Sequence, residues 1–310
     1  MFKHCFKFIC VILATAGFVI FVGCSDNGIQ PVSITDNDNS FIGKVGNSGA
    51  LTVNNSEGPV FAVSKHDKWN GKNHKIFVRN GSSWTAIIDY AMIDAWKCAY
   101  DPGTGQLWII ARDKKLWRGM VQQFFTPQNN PAGKTGPIIA HDLTMGKTLS
   151  NGNTIGVPFI LLDESDKYGY AVWTWTESNG MWGKYETHAS GVAIARNPSM
   201  GTPHQSDLWV VRDNGELWQW QCSGEKWVKK ADNCQTNKYA SVTVASDNTV
   251  HFLTNQPTRY GYKISTSKNH GQSWFVWDYG ISLGGSDKGW MVRNNGNVYK
   301  YSGYVWKLVE

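Results

Sequence analysis

The fold is decided by GVAIARN (191–197), DLWVVRDNGELWQWQ (207–221) and SGEKWVKKA (223–231). Apolar alternation and turn residues read as strand, loop, strand, Asp213-Asn214-Gly215 turn, strand, Ser223-Gly224-Glu225 turn, strand. The next copy is YASVTVASD (239–247), VHFLTN (250–255), YGYKISTS (260–267) and SWFVWD (273–278). A third follows in ISLGGSD (281–287), GWMVRNNGNVYKYS (289–302) and GYVWKLVE (303–310). Upstream, AWKCAYD (95–101) leads into LWIIARDKKLWRGM (107–120) in the same way.

The first strand of a unit tends to end on Asp or Asn, at Asp101, Asp142, Asn197, Asp247 and Asp287. These lie about 40–55 residues apart, and one step back from Asp101 reaches Asn54. Six units of four short strands result, with five or seven also compatible, and the period is that of an all-β propeller. The unit over 120–165 is the least regular. A four-stranded sheet cannot bury both faces alone, so blades must cover one another with apolar side chains. Trp108, Trp209 and Trp274 are expected as plugs between them. The last strand (305–310) should find a partner in 41–53, closing the ring by sheet pairing.

Composition agrees. Of 310 residues 17% are charged, while 16 Trp, 12 Tyr, 13 Phe and 32 Gly suit short strands and tight turns. This excludes a charged disordered chain, and no apolar stripe of helical period supports a bundle. The net charge of +6 is mild and scattered, so nucleic acid is not an expected partner.

The N-terminus reads as a targeting signal. Lys3 and Lys7 precede an apolar run from Phe8 to Val22, shorter than the roughly 20 residues that span a bilayer. Phe21-Val22-Gly23-Cys24 resembles the bacterial lipobox, with Phe21 where Leu is usual; an uncleaved anchor helix is the alternative. The resemblance implies a signal peptide over 1–23 and lipidation at Cys24; polar composition reads as a tether over 24–48, and the repeats place the propeller domain over 49–310. The lipobox resemblance also implies residence in the cell envelope, and Ser25 in place of Asp points to the outer membrane. Of the remaining cysteines, Cys222 and Cys234 flank one hairpin and form a candidate disulfide, while Cys98 reads as core.

Ser267-Lys268-Asn269-His270-Gly271-Gln272-Ser273-Trp274 resembles the Asp box of sialidase-type (BNR) propellers, with Asn269 at the Asp position. That resemblance implies a structural role for Ser267, Asn269, Gly271 and Trp274. Hairpins of the Arg-Asp-Asn-Gly-Glu-Leu-Trp type (212–218) are similar to tectonin-type lectin propellers. Sialidase chemistry needs an arginine triad and an early Arg-Ile-Pro motif; that motif is missing and there are only seven arginines.

No nucleophile elbow, phosphate loop or zinc motif occurs, so no catalytic residue, metal or cofactor is expected. One rim should carry SKHDKWNGKNHK (64–75), DESDKY (163–168) and QPTRY (256–260). Candidate ligand contacts there are Trp69, His66, Asp67, Asn70, Arg259, Tyr260, Asp163 and Glu164, because an exposed indole beside amides and acids suits a sugar. Arg112-Asp113, Arg212-Asp213 and Arg293-Asn294 recur at one turn and read either as a ring of cations or as turns facing water. The expected function is a membrane-tethered module that binds glycan or protein. A glycoside hydrolase or lyase, with Asp163, Glu164 and Asp166 as acid and base, and an envelope assembly scaffold are the alternatives.

Overall fold

The computed structural model describes residues 51–309 apart from 54–59, 70–72, 81–82, 88–92, 102–103, 122, 131–134, 151–152, 177–180, 186–188, 198–206, 222–223, 246, 286–288 and 295–296. Residues 1–50, on which the expected signal, the lipidation at Cys24 and the expected tether fall, lie outside the described residues.

The chain forms six antiparallel sheets in sequence order, with strands as the regular elements of the described residues. Blade 1 is β1 (Leu51–Val53), β2 (Val60–Trp69), β3 (Asn73–Asn80) and β4 (Ser83–Ala86). Blade 2 is β5 (Ala95–Asp101), β6 (Gln106–Ala111), β7 (Leu116–Met120) and β8 (Phe125–Pro127). Blade 3 is β9 (Ala140–Ser150), β10 (Asn153–Asp166), β11 (Gly169–Thr176) and β12 (Met181–Lys184), with β13 (Ser190–Gly191) also on β11. Blade 4 is β14 (Ala193–Arg196), β15 (Leu208–Val211), β16 (Leu217–Gln221) and β17 (Lys226–Ala231). Blade 5 is β18 (Val242–Val244), β19 (Val250–Thr258), β20 (Gly261–Ser267) and β21 (Phe275–Gly280). Blade 6 is β22 (Ser282–Gly285), β23 (Gly289–Val292), β24 (Val298–Tyr301) and β25 (Trp306–Leu308). This is a six-bladed β-propeller.

Side chains of one strand alternate between the two neighbouring blades. In β15, Leu208 and Val210 pack with blade 3, while Trp209 and Val211 pack with blade 5. All four are buried, which is why LWVV reads as a continuous apolar run. Every neighbouring pair of blades shares a cluster of this kind among the described residues. Blades 6 and 1 close the ring through Val60, Ala62, Ile281, Trp290 and Val292.

Closure is therefore by packing. β25 pairs with β24 of its own blade, and Leu51–Val53 pairs with β2, so the expected pairing of the last strand with this segment does not form; residues 41–50 lie outside the description. Trp108 and Trp209 are fully buried plugs, but Trp274 is only partly buried. It packs edge-on to Phe252 and donates to the Lys230 carbonyl at 2.9 Å, a polar demand that keeps it at the sheet end. Asp142 does not end its strand. It stands near the start of β9, which runs on to Ser150 in a long hairpin, and this is what obscured the repeat over 120–165. Cys234 is a free, buried thiol pushed upward in pKa by burial. The six residues of β17 separate it from the β16–β17 turn, whereas a disulfide needs Cα atoms within about 7 Å. That separation overturns the expected bridge to Cys222, which itself lies outside the described residues.

Candidate functional site

In a four-stranded antiparallel blade, the start of the first strand and the hairpin between the second and third strands lie at one end. The sequence singled out that end, and blades of odd and even number build it differently. In blades 1, 3 and 5 the second and third strands extend past a bulge, at Val63/Lys68, Leu162/Ser165 and Leu253/Pro257. In blades 2, 4 and 6 the hairpin is short, and Arg112, Arg212 and Arg293 follow the second strand directly.

The expected long loop over 64–75 is thus strand almost to its tip, with Lys68 opposite His74 and Trp69 opposite Asn73. The side chains of His66, Asp67 and Trp69, and all of Asn70, lie outside the described residues. Asp163 and Glu164 fall on blade 3, Arg259 and Tyr260 on blade 5, with blade 4 between them. Asp163 is exposed and bonds His141 Nε2 at 2.7 Å, and that imidazole stacks on Tyr170. Burial lowers the His141 pKa against the opposing pull of the Asp163 bond. Arg259 lies over the half-exposed Tyr260 ring at 4.5 Å.

At each short hairpin the arginine meets the preceding odd blade. Asp213 N–H donates to the Tyr168 carbonyl at 3.1 Å, and Asn294 N–H donates to the Tyr260 carbonyl at 3.2 Å. The glycines after these tyrosines, Gly169 (φ 124°) and Gly261 (φ 128°), have left-handed backbones pressed against the chain leaving the blade. A Cβ on Gly169 would lie 2.6 Å from the Gly191 carbonyl oxygen, and one on Gly261 would meet Gly280 in the same way. This is the physical reason that YGY recurs at 168–170 and 260–262.

The junction between blades 3 and 4, a cleft in the sense of the gap between two blade rims, carries the unusual chemistry. Asp213 and Asn214 of this turn face water as expected, but Arg212 is only 6% exposed. Its guanidinium carbon lies 4.0 Å from the Tyr168 ring centroid, 4.1 Å from Trp218 and 6.0 Å from Trp227. Its Nε has no hydrogen-bond partner among the described residues. Burial lowers its pKa, opposed by Tyr168, Glu216 and Asp166. Glu216 sits beside it, accepting from Lys229 Nζ at 2.6 Å, Trp218 Nε1 at 2.9 Å and Asn214 Nδ2 at 3.0 Å. Those bonds hold its carboxyl down at about 2. Trp220 and Trp227, 5.5 Å apart, extend the aromatic wall.

The matching arginines are neutralised. Arg293 lies over Tyr299 and grips both oxygens of Asp278, at 2.6 and 2.8 Å. Arg112 meets His74 at 2.9 Å and Asp94 at 3.4 Å, and His74 in turn bonds Asp94. The sequence signal for this site was the recurrence of Arg after the second strand, followed by Trp218 in one unit. The residues beneath it were hidden because Tyr168 comes from a different blade.

The turn at 267–274 lies at the opposite end. Gly271 N–H donates to Ser267 Oγ at 2.8 Å and Ser273 N–H to Asn269 Oδ1 at 2.9 Å, with Gly271 at φ 77°. An open depression of about 340 Å³ also lies at that end, on blade 2, lined by Gln106, Arg118, Gln123 and Phe124. No cluster of potential metal ligands occurs among the described residues.

The sequence matches no protein-family model and no curated protein. Solved structures share the fold. A GH74 enzyme of Niastella koreensis superposes with a TM-score of 0.54 at 14% identity, over 83% of this chain and 46% of that one. A mutant of the Aleuria aurantia lectin in complex with α-methyl-L-fucoside gives 0.52 at 9% identity, over 86% of this chain and 96% of the lectin. The GH74 xyloglucanase of Xanthomonas campestris gives 0.50 at 11% identity, over 81% and 44%. The chain spans less than half the length of the two hydrolases and nearly all of the lectin's.

Proposed function

We propose that this chain is a glycan-binding propeller of the bacterial cell envelope, held to the outer membrane through a lipid on Cys24, and that it binds sugars in the rim cleft between blades 3 and 4. The observation that carries the reading is Arg212, a buried cation inside an aromatic wall whose Nε has no hydrogen-bond acceptor among the described residues. A sugar offers both halves of what that cleft lacks: an apolar ring face for Trp218 or Tyr168, and oxygens for the guanidinium. That a lectin of nearly equal length shares the architecture supports the same reading by analogy. The 267–274 turn fits an Asp-box role in holding blade 5, and the rim hairpins fit a tectonin-like module.

Hydrolysis is the less supported reading. Three described rim carboxylates are engaged in holding the fold, Asp163 by His141, Asp166 by Ser190 and Asp278 by Arg293. The Glu216 carboxyl is displaced in the direction opposite to that of a catalytic acid. A glycan array probed with the purified protein tests binding: ligands retained by the protein should lose about tenfold or more in affinity in Trp218→Ala. An array on which nothing binds overturns the reading. Cys24→Ser should abolish labelling by a palmitate analogue, and unchanged labelling removes the anchor from the account.

A further inference from the structure

Resting on the glycan reading, we propose that the cleft between blades 3 and 4 selects sugars that carry a carboxylate, with Arg212 as the residue that receives it. Strand register carries the argument, because the propeller supplies its own comparison. In blade 5, Tyr262 pairs with Gly280 and Ile264 with Asp278, so Asp278 stands two residues before the glycine. In blade 3, Tyr170 pairs with Gly191 and Ala171 with Ser190, and Val172 N–H bonds the Ala189 carbonyl at 2.8 Å. Ala189 therefore occupies the position from which Asp278 grips Arg293.

The second source of an acid is missing too. Asp94, which serves Arg112, precedes Ala95, the partner of Ala111. The equivalent residue in blade 4 precedes Ala193, the partner of Val211, and is Val192. Both places that hold a counter-ion in a sister cleft are thus apolar around Arg212, which is nonetheless the most buried of the three arginines.

The other carboxylates near Arg212, Glu216 and Asp166, act on it through space and are bonded to other groups. Glu216 is bonded to Lys229, Trp218 and Asn214, and Asp166 to Ser190 and the Tyr168 amide. A buried cation without an acceptor is costly, and a charge-assisted bond to a carboxylate is the strongest relief that a ligand can bring. The rings of Tyr168 and Trp218 cover the guanidinium and suit a pyranose face, which favours a uronic acid over an acidic peptide.

Titration calorimetry with oligomers of galacturonate, glucuronate and mannuronate, each beside its methyl ester, tests this. We expect one of the free acids to bind and its ester to bind about tenfold or more weakly, a gap that shrinks with salt. Ala189→Asp, which copies blade 5, should close that gap, as should Arg212→Gln; melting curves report whether each variant folds, and the wild-type comparison needs neither. Equal binding of acid and ester, binding of neutral array glycans but of no uronate, or equal binding of poly-glutamate overturns the proposal and leaves the glycan cleft standing. Binding of no glycan at all overturns both.

Discussion

The junctions between blades 3 and 4 and between blades 5 and 6 are built to one plan and pair their arginines differently. Each has a tyrosine–glycine turn from an odd blade, an amide of the even blade bonded to that tyrosine's carbonyl, and an arginine lying on an aromatic ring of the next strand. Between blades 5 and 6, Asp278 completes the arginine's coordination. Between blades 3 and 4 the matching residue is Ala189, and Arg212 is left to the rings. The carboxylates are placed differently on a shared frame: Asp278 stands where the sister has Ala189, and Asn297 where it has Glu216; one junction is a structural clasp and its sister is the one proposed as a site.

The comparison can be broken first at the frame. Gly169→Ala and Gly261→Ala should each cost about 2–3 kcal/mol, since both positions have positive φ and a Cβ would strike the backbone of the neighbouring strand. Gly183→Ala, whose Cβ would meet open space, should change little. Denaturant melts check this, and a large difference between the first two would mean that the clefts do not share their joint.

A smaller effect is expected at the clasp. Asp278→Ala removes a two-pronged ion pair whose side chains are 12% and 27% exposed, and should cost about 1–3 kcal/mol. It should also turn the second cleft into a weak site for the acidic ligand, raising the number bound per chain. A variant that loses stability and gains no ligand would separate the arginine from binding.

The smallest effect is one of pH. Glu216 is lowered from 4.5 to about 2 by Lys229, Trp218 and Asn214, and the matching residue between blades 5 and 6 is Asn297. With the folded pKa below the unfolded one, its contribution is present above pH 4.5 and is lost as the pH falls towards 2. Melting temperatures over that window should fall more steeply for the wild type than for Glu216→Gln. Parallel curves would show that the three bonds do not hold the carboxylate.

Much of the fold was legible because a propeller repeats its own evidence for strands. LWVV, LWII and GWMV are apolar on both faces since each strand is covered by two blades. Boundaries were lost where a hairpin lengthens without turn residues, as in blade 3, where Asp142 mimicked a strand end. The site was half legible. Recurrence marked Arg112, Arg212 and Arg293 as equivalent, but their surroundings depend on Tyr168 and Asp278, which pack from other blades, and on Asp94, which lies 18 residues before Arg112, and these leave no local pattern. Likewise Cys222 and Cys234 are close in sequence, and only the direction of β17 shows that a strand's length separates Cys234 from the turn.

The central claim is that clefts of one design differ in being open or closed to a ligand. Calorimetric stoichiometry tests it most directly, with the tightest-binding acidic oligosaccharide titrated into the intact protein. The account predicts one ligand per chain, lost in Arg212→Gln and kept in Arg293→Gln. Three equivalent ligands per chain, or equal losses in the two variants, would contradict it.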